Sequence, residues 1–173
     1  MNKGIKIVFL DIDGVLNSQT FYVKRHENNP NKQSLTDEDE FDPAAVKNLN
    51  EITDKTGAKI VVSSSWRKSR TLEQLRDLFK RVGIAGEVIG KTPHLSFHHS
   101  TYSNSVPRGC EIKAWLEMNK DLLGCKIENL RYMILDDDSD MLYWQREAFH
   151  WCDNFTGLTP NIAYKAVRYL NRY

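Results

Sequence analysis

Two aspartates, Asp11 and Asp13, stand one residue apart where a short apolar run ends, and a second acidic cluster, Asp136-Asp137-Asp138-Ser139-Asp140, follows another such run. Carboxylates so grouped form an all-oxygen donor set suited to a hard cation such as Mg²⁺. Phosphate is the natural companion of that cation. Phosphoryl transfer needs an in-line nucleophile, neutralised phosphoryl oxygens and a proton for the leaving oxygen, and this chain has groups for each. Every piece also has a plainer account: Asp and Gly populate turns for local reasons, Ser63-Ser64-Ser65 is a good helix entry, and Asp138 or Ser139 would cap a helix. The recurrence of carboxylates at two strand ends favours chemistry.

The elements that must hold these groups are legible from periodicity. Ile5 to Leu10, Lys59 to Val62 and Tyr132 to Leu135 are compact, β-branched-rich runs of the kind found in strands buried on both faces; Glu87 to Gly90 and His150 to Cys152 are shorter candidates. Between them lie helical patterns. Asp42-Pro43 offers an N-cap and a proline at the first helical position, with Val46, Leu49 and Ile52 recurring before Gly57. Thr71 and Gln74 form a capping box ahead of Leu72, Leu75, Leu78, Phe79 and Val82, with Gly83 as terminator. Arg108-Gly109 opens a helix carrying Ile112, Trp115 and Leu116, and Thr159-Pro160 opens the last, with Ile162, Ala166, Val167 and Leu170. Residues 22–40 read as a polar excursion within a segment, 17–41, that is a candidate small cap or loop, and 92–107 as an irregular stretch.

Strands alternating with helices predict an α/β fold: a mainly parallel central sheet in a three-layer sandwich, with ligands bound at the C-terminal edge of the strands. That edge would collect Asp11, Asp13, Ser63 and the Asp136 cluster. The 173 residues, 40% hydrophobic, suit one domain. Lys plus Arg total 24 against 23 Asp plus Glu, so no global field selects nucleic acid or an anionic membrane. Cys110, Cys125 and Cys152 show no metal or disulfide spacing and read as buried reduced thiols. The start of the chain is too short and acidic for a signal peptide, and no apolar run nears the roughly 20 residues of a membrane span, so a cytoplasmic protein is expected.

Four segments in order carry a resemblance. FLDIDGVLN resembles motif I of the haloacid dehalogenase-like superfamily, IVVSSS motif II, Arg108-Gly-Cys-Glu-Ile the motif III position that usually holds Lys, and ILDDDSD motif IV. The combination SSSWR, RGCEIKAWL and ILDDDSDM is similar to the members found as domains of RNA-repair proteins. The resemblance implies a Rossmannoid core with a minimal cap and a Mg²⁺-dependent phosphomonoester hydrolase. In it Asp11 forms an aspartyl-phosphate and Asp13 protonates the leaving alkoxide, then activates water.

Ser63 would bind a phosphoryl oxygen, with Ser64 as the alternative if the register slips by one, and Arg108 would fill the motif III role, with Lys113 as its rival. Mg²⁺ would take the carboxylates of Asp11 and Asp136 and the backbone carbonyl of Asp13, aided by Asp137 or Asp140. Arg67 is a candidate for a second phosphate, and Trp66 for cleft lining or packing. His98-His99 reads as surface loop, and the tail with Tyr164, Lys165, Arg168, Tyr169, Arg172 and Tyr173 as a solvated helix, with contact to nucleic acid as its alternative. The expected substrate is a phosphorylated small molecule or a nucleic-acid end. A non-catalytic phosphate-binding or adaptor module and a phosphotransferase are the competing readings.

Overall fold

The computed structural model describes residues 5–28, 36–96 and 106–172. Five strands, β1 (Lys6–Leu10), β2 (Lys59–Val62), β3 (Val88–Lys91), β4 (Arg131–Asp136) and β5 (Phe149–Trp151), form one sheet in the order β3-β2-β1-β4-β5. Every pairing is parallel, so the expected mainly parallel sheet is parallel throughout the described residues. The helices are α1 (Gln19–Asn28), α2 (Pro43–Thr56), α3 (Leu72–Arg81), α4 (Arg108–Met118), a single turn α5 (Lys120–Leu123) and α6 (Pro160–Leu170).

Alternation of side chains along the strands divides the core in two. Val8, Leu10, Ile60, Val62, Met133 and Leu135 face α2, α3 and α6, while Ile7, Phe9, Val61 and Ile134 face Ile112, Trp115 and Leu116 of α4. Three layers result. The chain leaves β1 toward β2 on one side, and β4 returns to its other side, so the order reverses between β1 and β4. A crevice opens at such a reversal, beyond the strand ends.

The caps form as the residue types dictate. The Asp42 carboxylate accepts from Ala44 N at 2.8 Å, Gly57 closes α2 at φ 68°, Thr71 and Gln74 make their reciprocal box, and Thr159 caps α6. Strand limits differ from those expected by about one residue at β1, β3, β4 and β5. The larger difference is α1, a helix inside the segment read as a polar excursion. None of its residues is buried, which is why no apolar stripe announced it. Its last turn is held through Arg25, which stacks on the rings of Phe21 and Tyr22 and pairs with Glu40 at 3.3 Å.

All three cysteines are free, but only Cys152 is buried; Cys110 and Cys125 are half-buried, a correction to the expectation for them. Among the described residues no helix is long and apolar enough to cross a membrane. His98 and His99 lie outside the described residues.

Candidate active site

The ladder hydrogen bonds run one residue past the ends of β1 and β2: Asp11 N donates to Leu135 O at 2.9 Å, Ser63 N to Leu10 O at 2.8 Å and Thr92 N to Val62 O at 3.0 Å. Since Leu10 is in register with both Val62 and Leu135, and Val62 with Lys91, the next residues Thr92, Ser63, Asp11 and Asp136 form one row across the sheet. Parallel register puts all four side chains on the α4 face. All four are buried, although all four are polar. Among the described residues, the buried side-chain atoms without a hydrogen-bond partner are Ser63 Oγ, Thr92 Oγ1 and Asp136 Oδ2, all three from this row. Unpartnered polar atoms are costly inside a protein, and their concentration at one edge makes that edge the candidate site.

Carboxylate oxygens of Asp11, Asp136 and Asp137 lie within 4.8 Å of one another. Burial pushes both Asp11 and Asp136 up, each raised further by a neighbouring carboxylate and restrained by the Arg108 guanidinium; Asp136 reaches about 8. Asp137, half-buried, is also raised, first by burial. Three oxygen donors whose negative charge is disfavoured in the bare protein fit a divalent cation. Gly14 makes room for the third: it sits at φ 70°, and a Cβ there would run into the Asp137 carboxylate. Asp140, by contrast, is exposed and serves α4, its Oδ2 accepting from Arg108 N at 2.7 Å and its carbonyl from Gly109 N at 3.2 Å. Asp137, not Asp140, joins the cluster, because the chain has turned away by residue 140 to cap that helix.

Arg108 projects from the first turn of α4 over this cluster. Its guanidinium lies 3.7 Å from Asp11, 3.6 Å from Asp136 and 3.8 Å from Glu111, close enough to offset their charge and too far for tight hydrogen bonds. Lys113 pairs with Glu117 at 3.8 Å and lies beside the Trp144 ring, so the expected alternative to Arg108 is directed to other partners. Ser64 donates to Asp11, while Ile12 N donates to Asp11 Oδ1 at 2.6 Å. Thus both serines reach the site: Ser64 through a bond to Asp11, Ser63 with its hydroxyl uncommitted.

Arg67, expected as a candidate for a second phosphate, directs most of its donors into the protein. Its side chain is 1% exposed and pairs with Glu111, while Thr92 O, Ser64 O and Pro93 O accept its remaining donors at 3.1, 2.7 and 3.3 Å. A guanidinium so engaged braces the loop after β2 against α4 and leaves one N–H beyond these four bonds, at the wall of the cleft beside Arg108. Glu111 was not foreseen, yet its place one helical turn after Arg108 is the signal that would have found it. The same holds for Asn17, a lone amide beside Val15 and Leu16: it is 1% exposed, accepts from Gly14 N at 2.9 Å and donates to Asp13 at 3.2 Å.

Asp13 lies past the strand on an exposed turn, near enough for its charge to raise both Asp11 and Asp137. A cleft of about 190 Å³ opens beside Arg108, lined also by Lys68, His94, Asp138 and Asp140. On the opposite flank Trp151, largely exposed, donates its indole N–H to Asp137 O at 2.9 Å.

A family model described as the HAD domain in Swiss Army Knife RNA repair proteins matches residues 7–163. No curated protein matches the chain.

Proposed function

Because the chain belongs to the family of HAD domains of Swiss Army Knife RNA repair proteins, we propose that it is a Mg²⁺-dependent phosphomonoester hydrolase acting on phosphorylated nucleic-acid ends. The observation that carries this reading is the row of buried, partly unpartnered polar side chains in which Asp11 stands between Ser63 and Asp136, with Asp137 closing the oxygen cluster.

In the proposed reaction a carboxylate oxygen of Asp11 attacks phosphorus in line as the bond to the leaving oxygen breaks, and Asp13 delivers a proton to that oxygen. Asp13 then takes a proton from water, whose oxygen displaces Asp11 and releases inorganic phosphate. Mg²⁺, held by Asp11, Asp136, Asp137 and the Asp13 carbonyl, would neutralise charge on the phosphoryl group. Arg108, freed from its long-range hold on three carboxylates when a cation shares their charge, would turn donors to the phosphoryl oxygens. The Ser63 hydroxyl, without a partner in the protein, would donate to a third oxygen. Ser64 keeps Asp11 aimed.

Two features favour an extended substrate. Asp13 is exposed at the mouth, and Trp151 beside Asp137 presents an aromatic face on which a terminal base could stack. The segment from α1 to the 3₁₀ turn Asp37–Glu40 would be a minimal cap, one domain with the core. Free cysteines suit a cytoplasmic setting.

The test is phosphate release from 3′- and 5′-phosphorylated oligonucleotides, nucleoside monophosphates, sugar phosphates and an aryl phosphate, with Mg²⁺ or EDTA, for the wild type and Asp11→Asn. Release that needs Mg²⁺, favours oligonucleotides and vanishes in the variant is expected. Equal release by Asp11→Asn would refute the nucleophile, and preference for a small phosphate would refute the substrate class.

A further inference from the structure

Asp13 is exposed, yet its carboxylate is held from three directions. Trp66 Nε1 donates to both oxygens at 3.1 Å, Ser65 Oγ donates to Oδ2 at 3.3 Å and Asn17 Nδ2 to Oδ1 at 3.2 Å. The indole is itself clamped. The Phe41 ring meets it edge-on at 5.6 Å and 75°, and the Arg70 guanidinium lies 4.5 Å from its centroid, anchored by an ion pair with Asp37 at 2.7 Å. Its backbone enters the 3₁₀ turn Ser65–Lys68, where Trp66 N donates to Ser64 Oγ at 3.4 Å.

We propose that Trp66 is a positioning residue for proton transfer: its indole N–H fixes the Asp13 carboxylate in the orientation that serves the leaving oxygen. The inference rests on the reading of Asp13 as the acid–base group. An exposed aspartate otherwise samples several staggered rotamers, most of which face solvent. Indole suits the task because it is a donor only and does not titrate, so it holds a carboxylate without competing for the proton that the carboxylate carries. A histidine or lysine in its place would exchange that proton. The neighbouring Ser64 bonds to Asp11, so one short segment, Ser64 to Trp66, orients the nucleophile and the proton carrier together.

The test varies the basicity of the leaving group. A nitrophenolate departs without a proton, whereas the alkoxide of a nucleotide does not, so loss of proton delivery is selective for the second. The parameter is kcat/KM, which covers the steps through P–O cleavage and is blind to later hydrolysis of the intermediate. Trp66→Phe keeps the ring against Phe41 and Arg70 and removes the N–H. It should lower kcat/KM about 10- to 100-fold on a phosphorylated oligonucleotide and less than about 3-fold on nitrophenyl phosphate, a share of the total general-acid effect. Asp13→Asn should show the same selectivity with larger losses, and the double variant should be no worse than Asp13→Asn alone.

Equal losses on both substrates, or none, would overturn the role of Trp66. Absence of selectivity in Asp13→Asn would instead overturn the acid–base reading, and the inference with it. Should Trp66→Phe fold poorly, ¹⁵N indole spectra decide: Asp13→Asn must shift the Trp66 Nε1–H resonance, and an unmoved signal refutes the contact.

Discussion

Replacing Glu111 with leucine removes the one carboxylate that pairs with a guanidinium sealed inside the protein. The side chains of Arg67 and Glu111 are 1% and 5% exposed, so water cannot take over when one partner is lost. Breaking a buried pair in this way costs about 3–5 kcal/mol. Here Arg67 retains three carbonyl acceptors, Ser64 O, Thr92 O and Pro93 O, which places the expected loss at the lower end, about 3 kcal/mol. At roughly 2–4 °C per kcal/mol for a chain of this size, Tm should fall on the order of 6–12 °C. Urea unfolding followed by tryptophan fluorescence gives the free energy, and calorimetry gives Tm. The double variant Arg67→Met/Glu111→Leu should recover little of the loss, because without the guanidinium Ser64 O, Thr92 O and Pro93 O lose their donor. A loss under about 1 kcal/mol in the single variant, or a double variant restored to wild-type stability, would refute the assignment of Arg67 as a buried brace.

Other consequences follow from the site. Arg108→Ala should reduce phosphate release by about 10²-fold or more, while Lys113→Ala should stay within about 2-fold, and equal effects would reopen the choice between them. Asp136 binds its proton more tightly folded, at about 8, than at its ordinary 3.8, so its contribution to stability is full below about 4 and is lost as pH rises through about 8. Mg²⁺ offsets that loss, so the rise in Tm on replacing EDTA by Mg²⁺ should be larger at pH 8 than at pH 5; the reverse order would contradict the cluster as a cation site. Gly14→Ala, strained at φ 70° and pressing on Asp137, should weaken Mn²⁺ binding measured by electron paramagnetic resonance at least about 10-fold, and unchanged affinity would remove Asp137 from the donor set.

The sheet and its flanking helices were readable because burial imposes periodicity and because caps use few residue types. Asp42, Thr71 and Thr159 each announce the helix that follows them. The acidic cluster was readable for a different reason: strands that end together bring their next residues together, whatever lies between them in the chain. What stayed hidden depends on direction rather than type. Arg67 and Arg108 are the same residue type, but Arg67 turns inward to Glu111 and Arg108 outward over Asp11 and Asp136. Residue type does not encode that choice. Nor does it distinguish Asp137 from Asp140, which differ only in where the chain has turned. Helix α1 escaped notice because a helix that buries nothing leaves no pattern to read.

The proposed nucleophile and the proposed proton carrier, two residues apart, are anchored in different ways. Asp11 follows the central strand, flanked by β2 and β4, and its amide donates to Leu135 O, so exposing that amide requires opening the middle of the sheet. Asp13 opens a turn whose Val15, Leu16 and Asn17 amides donate back to Ile12 O and whose Val15 and Leu16 are buried in the core, but its own side chain is exposed and is held by side-chain donors. Amide exchange at Asp11 should therefore report near-global unfolding. The division would fix the attacking atom through the backbone of the sheet, and the group that must serve first a leaving oxygen and then a water through side-chain donors around its carboxylate.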